Sequence, residues 1–275
     1  MTAQIQARPA GGPGAVVLDC LLLTQRNLRN TMRIPQALFF TMLQPIMFVL
    51  LFSYVFGEAI PLPDHGNYRE YVMIGIFVQT FAFGGMTTGA NLADDLRKGL
   101  IDRFRSIPMT QPAVLVGRTV SDIFRNAVTL VLMALFALLV GWRTHTDFGG
   151  FVAGFGLLLF FAFAMSWAGT LLGLAVSEPG AVISGGLAAV FPVVWLSNAF
   201  VPIEGMAPWM QAVASWNPVS SVVVAVRELL GNPNPIGADP ALPLRHPVAA
   251  GLLWTSVLLL VCVPVAARAY QHKVS

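Results

Sequence analysis

Between residues 94 and 118 an otherwise apolar chain concentrates its charge. Asp94, Asp95, Arg97, Lys98, Asp102, Arg103, Arg105 and Arg118 all fall in this short run. Side chains of both signs at such density can make charge-assisted hydrogen bonds to a complementary surface, so the chemistry on offer is recognition. Patterns that would support catalysis are missing from the sequence. It has no G-x-x-x-x-G-K-[ST] phosphate loop and no H-E-x-x-H pair. His65, His145, His246 and His272 lie outside the apolar runs, so no histidine is placed beside a buried serine. No apolar run repeats Asp, Glu or His in the manner of a proton relay. Glu178 stands alone in the turn Ser177-Glu178-Pro179-Gly180 and reads as a cytoplasmic contact or a helix cap. Cys20 and Cys262 are too few and too far apart in sequence to suggest a disulfide framework or a metal site.

The elements that must position this charge are membrane helices. The chain has 275 residues, of which 56% are hydrophobic and 11% charged; its mean hydropathy is +0.72. Soluble domains carry about 25% charged residues, and this chain has too much apolar surface for a water-facing globule. The expected fold is an all-α integral membrane protein with six transmembrane helices, at residues 35–56, 71–92, 113–141, 149–176, 181–201 and 247–267. Pro45 sits inside the first and removes a backbone hydrogen bond. The second carries a polar series, Gln79, Thr80, Thr87, Thr88 and Asn91. Gly85/Gly89, Gly150/Gly154 and Gly169/Gly173 are small residues four apart, the spacing that lets helices approach closely. Asp122 and Arg125 are i, i+3 partners near the start of the third span.

Three further elements complete the plan. Residues 15–33 read as an amphipathic helix whose Arg26, Arg29 and Arg33 form a basic stripe, suited to the membrane interface and to anionic headgroups. After the second span, Leu96, Leu100, Ile101, Phe104 and Ile107 share one helical face, and Asp95, Lys98, Asp102 and Arg105 fall mostly on the other. This predicts a helix of about three turns, opened by Asp94-Asp95 and stopped by Pro108. Between spans five and six, Trp209 and Trp216 mark one short helix and Asn217-Pro218 break it. A second short helix ends at Arg227-Glu228. Neither half is long enough to cross, so an external re-entrant hairpin is expected. The Pro/Gly-rich residues 1–14 show no cleavable leader, which leaves the first span as the insertion signal. Placing both termini in the cytoplasm puts eleven Lys and Arg residues inside, and only Arg69, Arg143, Arg227 and Arg245 outside. That bias makes the charged helix cytoplasmic.

The run DDLRKGLIDRFRSIPM with Gly117-Arg118 resembles the signature loop of ABC-2 type transporter permeases, in particular the daunorubicin/doxorubicin-resistance subfamily. Phe200-Val201-Pro202, Trp209, Trp216-Asn217-Pro218 and Val226-Arg227-Glu228-Leu229 are similar to that family's external hairpin. The loop opens on Asp94-Asp95 and Lys98-Gly99, where many relatives have a Glu-rich stretch. The resemblance implies the membrane-spanning permease subunit of an ATP-driven exporter, divided into a cytoplasmic tail with interfacial helix (1–34) and an ABC-2 type transmembrane domain (35–275). It implies a second copy of the chain and two ABC ATPase subunits, which would hold ATP and Mg; the chain itself would need no cofactor and bind no nucleic acid. Residues 15–33 with Arg26, Arg29 and Arg33, the coupling helix with Asp95, Lys98, Gly99, Leu100, Asp102, Arg103, Phe104 and Arg105, and the turn bearing Glu178 would meet the ATPase. A path between permeases would use Phe81, Phe83, Met86, Phe191 and Trp195, aromatic or soft side chains suited to a hydrophobic drug-like or lipid-like substrate. The substrate would leave the cytoplasm or inner leaflet of a bacterial plasma membrane by alternating access. A non-transporting scaffold that recruits a soluble partner, and an intramembrane enzyme, are the alternatives; the second lacks a buried catalytic pair.

Overall fold

The computed structural model describes residues 35–56, 62, 67–98, 111–176, 178–237 and 239–274. Among them every regular element is helical: α1 (Pro35–Leu50), which continues as a π-helical turn (Leu51–Val55), α2 (Tyr68–Arg97), α3 (Gln111–Leu139), α4 (Phe148–Ala175), α5 (Pro179–Trp195), α6 (Pro208–Trp216), α7 (Pro218–Leu230), α8 (Leu242–Arg245) and α9 (Pro247–Val274). Residues 15–33 and 99–110, with Arg26, Arg29, Arg33, Gly99, Leu100, Asp102, Arg103, Phe104 and Arg105, lie outside the described residues.

α2 is the axis of the bundle. Of its most apolar stretch 78% is buried within the chain, against 28% in α3, 33% in α4 and 17% in α9. The outer helices therefore leave broad apolar faces such as Val131 and Leu135 of α3 and Leu253 and Leu260 of α9 uncovered, as a lipid solvent permits. α4 is the main partner of α2, and the glycine pairs explain how they meet. A Cβ on Gly169 would fall on the carbonyl oxygen of Gly85, and one on Gly173 on that of Gly89. The two backbones touch, which only glycine allows here. Gly150 and Gly154 let α4 approach Leu229 and Leu230 at the end of α7 in the same way.

Local chemistry sets the helix ends. The Asn67 side chain accepts from Arg69 N (3.0 Å) to start α2, and the Asp147 side chain accepts from Gly150 N (2.9 Å) to start α4. Pro179, Pro208 and Pro218 occupy the first turn of α5, α6 and α7, where a missing N–H costs nothing. Gly231 closes α7 in the left-handed region, at φ 67°.

Four described helices are long and apolar enough to cross a membrane: Tyr68–Arg97, Ser121–Leu139, Phe148–Ala175 and Pro247–Tyr270. Two shorter apolar helices, Leu43–Val55 and Pro179–Trp195, stand where the first and fifth spans were expected. α5 stops at Trp195 rather than at 201 because the chain turns back through Ser197–Phe200 beneath α7, where these residues are buried. A second boundary also moves. Asp94 and Asp95 do not open a separate helix; they belong to the last turns of α2, which continues to Arg97. Leu92, Ala93 and Leu96 keep packing against α4, α5 and α9, and no helix breaker precedes Gly99.

Candidate functional site

The charged end of α2 meets the turn before α5. Asp94 pairs with Lys98 one turn on and with Arg97 (Oδ1–Nη2 3.7 Å). Arg97 Nη1 reaches Glu178 Oε2 at 3.2 Å. Glu178 occupies the N-cap position of α5, but its carboxylate makes no capping bond and is turned towards Arg97 instead. Arg97 and Glu178 are more than half exposed, so the pair adds little stability, roughly 0–1 kcal/mol; its importance is positional. Two segments far apart in sequence, each a predicted contact, present their charges at one end of the bundle. Asp95 is half-buried beside them. One helical turn or more further into the bundle, Arg125 donates to Thr88 Oγ1 (2.8 Å) and pairs with Asp122 (3.1 Å), tying α3 to α2.

The candidate path residues separate into two groups. Phe191 and Trp195 lie together on the open face of α5, with ring centroids 5.5 Å apart. Trp195 stacks on Phe200 (4.9 Å) and reaches Phe48 of α1 (6.4 Å), while Phe52 stacks on Phe200 in turn (4.8 Å). Phe81 and Met86 are buried in the packing of α2, Met86 against Gly186 of α5, and Phe83 is half-buried towards α1. The structure thus brings Phe191 and Trp195 to one aromatic cluster and leaves Phe81 and Met86 inside the bundle.

In the α6–α7 pair, Trp209 and Trp216 are exposed, and Asn217 joins the helices. Its Nδ2 donates to Val193 O and Leu196 O (2.6 and 3.0 Å), capping the frayed end of α5, while its Oδ1 accepts from Val219 N (2.8 Å). Pro218 follows as the first helical residue of α7. Glu228 is exposed, whereas Arg227 beside it is fully buried. Arg227 Nε donates to Tyr71 O, and Nη2 to Asn198 O and Ala199 O, each at 3.1 Å. Its guanidinium lies 3.5 Å from the centroid of the Tyr71 ring. Tyr71 Oη also donates to Asn198 O (2.7 Å) and Tyr68 Oη to Phe200 O (2.9 Å). Non-helical backbone inside an apolar bundle needs such donors, and here the α5–α6 link receives them from α2 and α7. Tyr71 and Asn198 escape sequence reasoning: a lone arginine in a short apolar helix signals a buried partner, but nothing in its spacing says which.

A bundle of long apolar helices with a charged end and an interrupted helical segment defines a multi-pass membrane protein. The chain belongs to the ABC-2 type transporter family, whose model matches residues 19–230. It is 36% identical over 196 residues to the daunorubicin resistance ABC transporter permease protein DrrB1 of Streptomyces coeruleorubidus, covering 71% of this chain and 69% of that one. It is 27% identical to the putative transport permease ycf38 of Porphyra purpurea (79% and 75% covered). It is also 25% identical to the doxorubicin resistance ABC transporter permease protein DrrB of Mycobacterium tuberculosis (70% and 67% covered). The chain is accordingly a transport subunit of the kind that works with ABC ATPase subunits.

Proposed function

We propose that the chain is the permease of an exporter that moves a hydrophobic, drug-like or lipid-like molecule out of the cytoplasm or inner leaflet. The observation that carries this reading is the Arg97–Glu178 contact, which joins the start of the predicted coupling loop to the turn before α5. Family membership supplies the partner that such a charged end would meet. Drug resistance in the names of two relatives supports an amphipathic aromatic substrate. Two copies of the chain would assemble with two ATPase subunits, ATP and Mg being held by those subunits. Six crossings, counting α1 with its π-turn and α5, would leave both termini and the charged end cytoplasmic and the α6–α7 hairpin external. Residues 1–34 would form the cytoplasmic tail and interfacial helix, and residues 35–275 the transmembrane domain. Closure of the ATPase pair would push on Asp95, Lys98, Gly99, Leu100, Asp102, Arg103, Phe104 and Arg105, and on Glu178. Because α2 is the buried axis, a push at its charged end would move the bundle as a body and alternate the access of a path between the two permeases.

The test is efflux from proteoliposomes that contain the chain and its ABC ATPase, with doxorubicin as the fluorescent probe. The expected result is transport that requires ATP, is blocked by vanadate, and is lost in the double variant Arg103→Ala, Phe104→Ala. Recruitment of the ATPase to the membrane without ATP-dependent efflux would instead identify a scaffold.

A further inference from the structure

Donor accounting at Arg227 leaves a surplus. A guanidinium carries five N–H groups and no acceptor. Nε gives its one to Tyr71 O, and Nη2 gives its two to Asn198 O and Ala199 O. The rest sit on Nη1, which is buried and has no hydrogen-bond partner among the described residues. The Asn198 side chain is in the same position: the residue is 0% exposed, and neither Nδ2 nor Oδ1 has a partner there. Nη1 shares its carbon with Nη2, which holds Asn198 O at 3.1 Å, so these orphaned groups belong to one contact. The other donors of the contact are committed. Asn198 N donates to Ser220 Oγ (3.1 Å) and Ala199 N to Ser197 Oγ (3.2 Å), while the Tyr71 hydroxyl donates to Asn198 O. Gly75 closes the α2 side, where a Cβ would fall on Ala199 O.

The charge of Arg227 is uncancelled as well. Three carbonyl dipoles and the Tyr71 ring solvate the guanidinium but carry no net charge. None of the ion pairs among the described residues includes Arg227. Glu70, the neighbour of Tyr71, is taken by His145 (3.1 Å), and Asp239 by Arg245. Glu204 and Glu228 are exposed, Glu204 with its carboxylate beside Gly237. A buried cation is costly unless something of opposite sign is paired with it.

We infer that Arg227 and Asn198 hold a small monovalent anion, of chloride size, in the link between α5 and α6. The anion would accept from Arg227 Nη1 and from Asn198 Nδ2, which answers the orphaned donors and the missing counter-charge together. Because neither amide atom of Asn198 has a partner among the described residues, its orientation is free to follow the ion. A water at the same place would satisfy the donors and leave the charge. Full burial of both residues excludes a bulky anion. Bound there, the ion would pin the non-helical link to α2 and α7, whatever the chain transports.

The experiment uses the purified full-length chain in nanodiscs, without ATPase or ATP. Its unfolding temperature is followed as chloride replaces gluconate at constant ionic strength. A saturable rise is expected, roughly 3–6 °C at chloride ten times the half-saturating level, and bromide should reproduce it. Asn198→Asp, which places a carboxylate of the chain beside the guanidinium, should abolish the dependence and melt in gluconate as the parent does in chloride. Arg227→Met should abolish the dependence too, and it carries the test should Asn198→Asp fail to give monodisperse protein. Arg245→Met, at an exposed arginine, should keep it. In crystals grown in bromide, the anomalous signal should lie beside Arg227 Nη1 and Asn198 Nδ2. Indifference of the parent to chloride would overturn the inference and leave the contact to water or to a carboxylate of the chain. A rise that does not saturate, or that persists in Arg227→Met, would overturn it equally, as a general salt effect.

Discussion

Arg227 shows what a residue type tells and what it withholds. In sequence it stands beside Glu228, yet adjacent helical residues point apart, and the fold separates them: Glu228 faces out and Arg227 is fully buried. Three backbone carbonyls and one aromatic face take the place of a carboxylate. Truncation to Arg227→Met would remove three charge-assisted hydrogen bonds, each worth about 1.5–3 kcal/mol, although Asn198 O would keep the Tyr71 hydroxyl as a donor. Relief from burying a guanidinium offsets part of this, so a net loss of roughly 3 kcal/mol is expected, read as a lower unfolding temperature in detergent. Arg227→Lys should recover little, because a single ammonium cannot span three carbonyls and still stack on Tyr71. If the lysine variant melted like the parent, charge alone would be holding the link and the fork geometry would be irrelevant. Residues that act through such partners are hard to read in sequence, since Tyr71, Asn198 and Arg227 meet only after three elements have packed.

At the scale of elements, small residues were the legible part. Gly85/Gly89 and Gly169/Gly173 predict close helix approach, and the α2–α4 crossing uses them in backbone contact. Gly169→Val is therefore expected to abolish recovery of monodisperse protein, whereas Gly156→Val, with open space around it, should express like the parent. Helix ends were less legible. Two aspartates favour a helix start on dipole grounds, but α2 runs past them because Leu92, Ala93 and Leu96 still have apolar partners. Nor does hydropathy reveal that α5 ends at Trp195, since the buried residues after it are held by Asn217 and Arg227 rather than by helix hydrogen bonds. The Arg97–Glu178 bridge between α2 and α5 makes its own prediction. Arg97→Glu or Glu178→Arg alone should change stability by no more than about 1 kcal/mol, yet lower ATP-coupled efflux. The doubly reversed variant should regain efflux. Equal impairment of the single and double variants would mean that the two charges serve the partner separately.

For the whole molecule, the sequence discloses fold class through composition alone: so apolar a chain has to be a helical membrane protein. It discloses far less about the path, because aromatic side chains suit a core, a lipid face and a ligand equally well; Phe81 is buried, Phe191 open, and both have the same chemistry. Polar groups recur on apolar helices at Gln44, Gln79, Thr80 and Thr87, but only packing shows that they line one cleft between α1 and α2. Orientation depends on charge. In the proposed topology, burial of Arg227 removes it from the outer count, which would leave Arg69, Arg143 and Arg245 against eleven basic residues on the other side. Loop arginine and lysine bias of this size is what supports the proposed insertion direction. The structure supplies suitable reporters at both ends: Lys98 closes the charged end of α2, and Asp239 sits in the loop before α8; both are exposed. In a background with Cys20→Ser and Cys262→Ser, Lys98→Cys should react with a membrane-impermeant maleimide only after cells are opened, and Asp239→Cys in intact cells. Labelling of both positions from outside would contradict the odd number of crossings that the proposed topology places between them, and labelling of Lys98→Cys alone would invert the molecule.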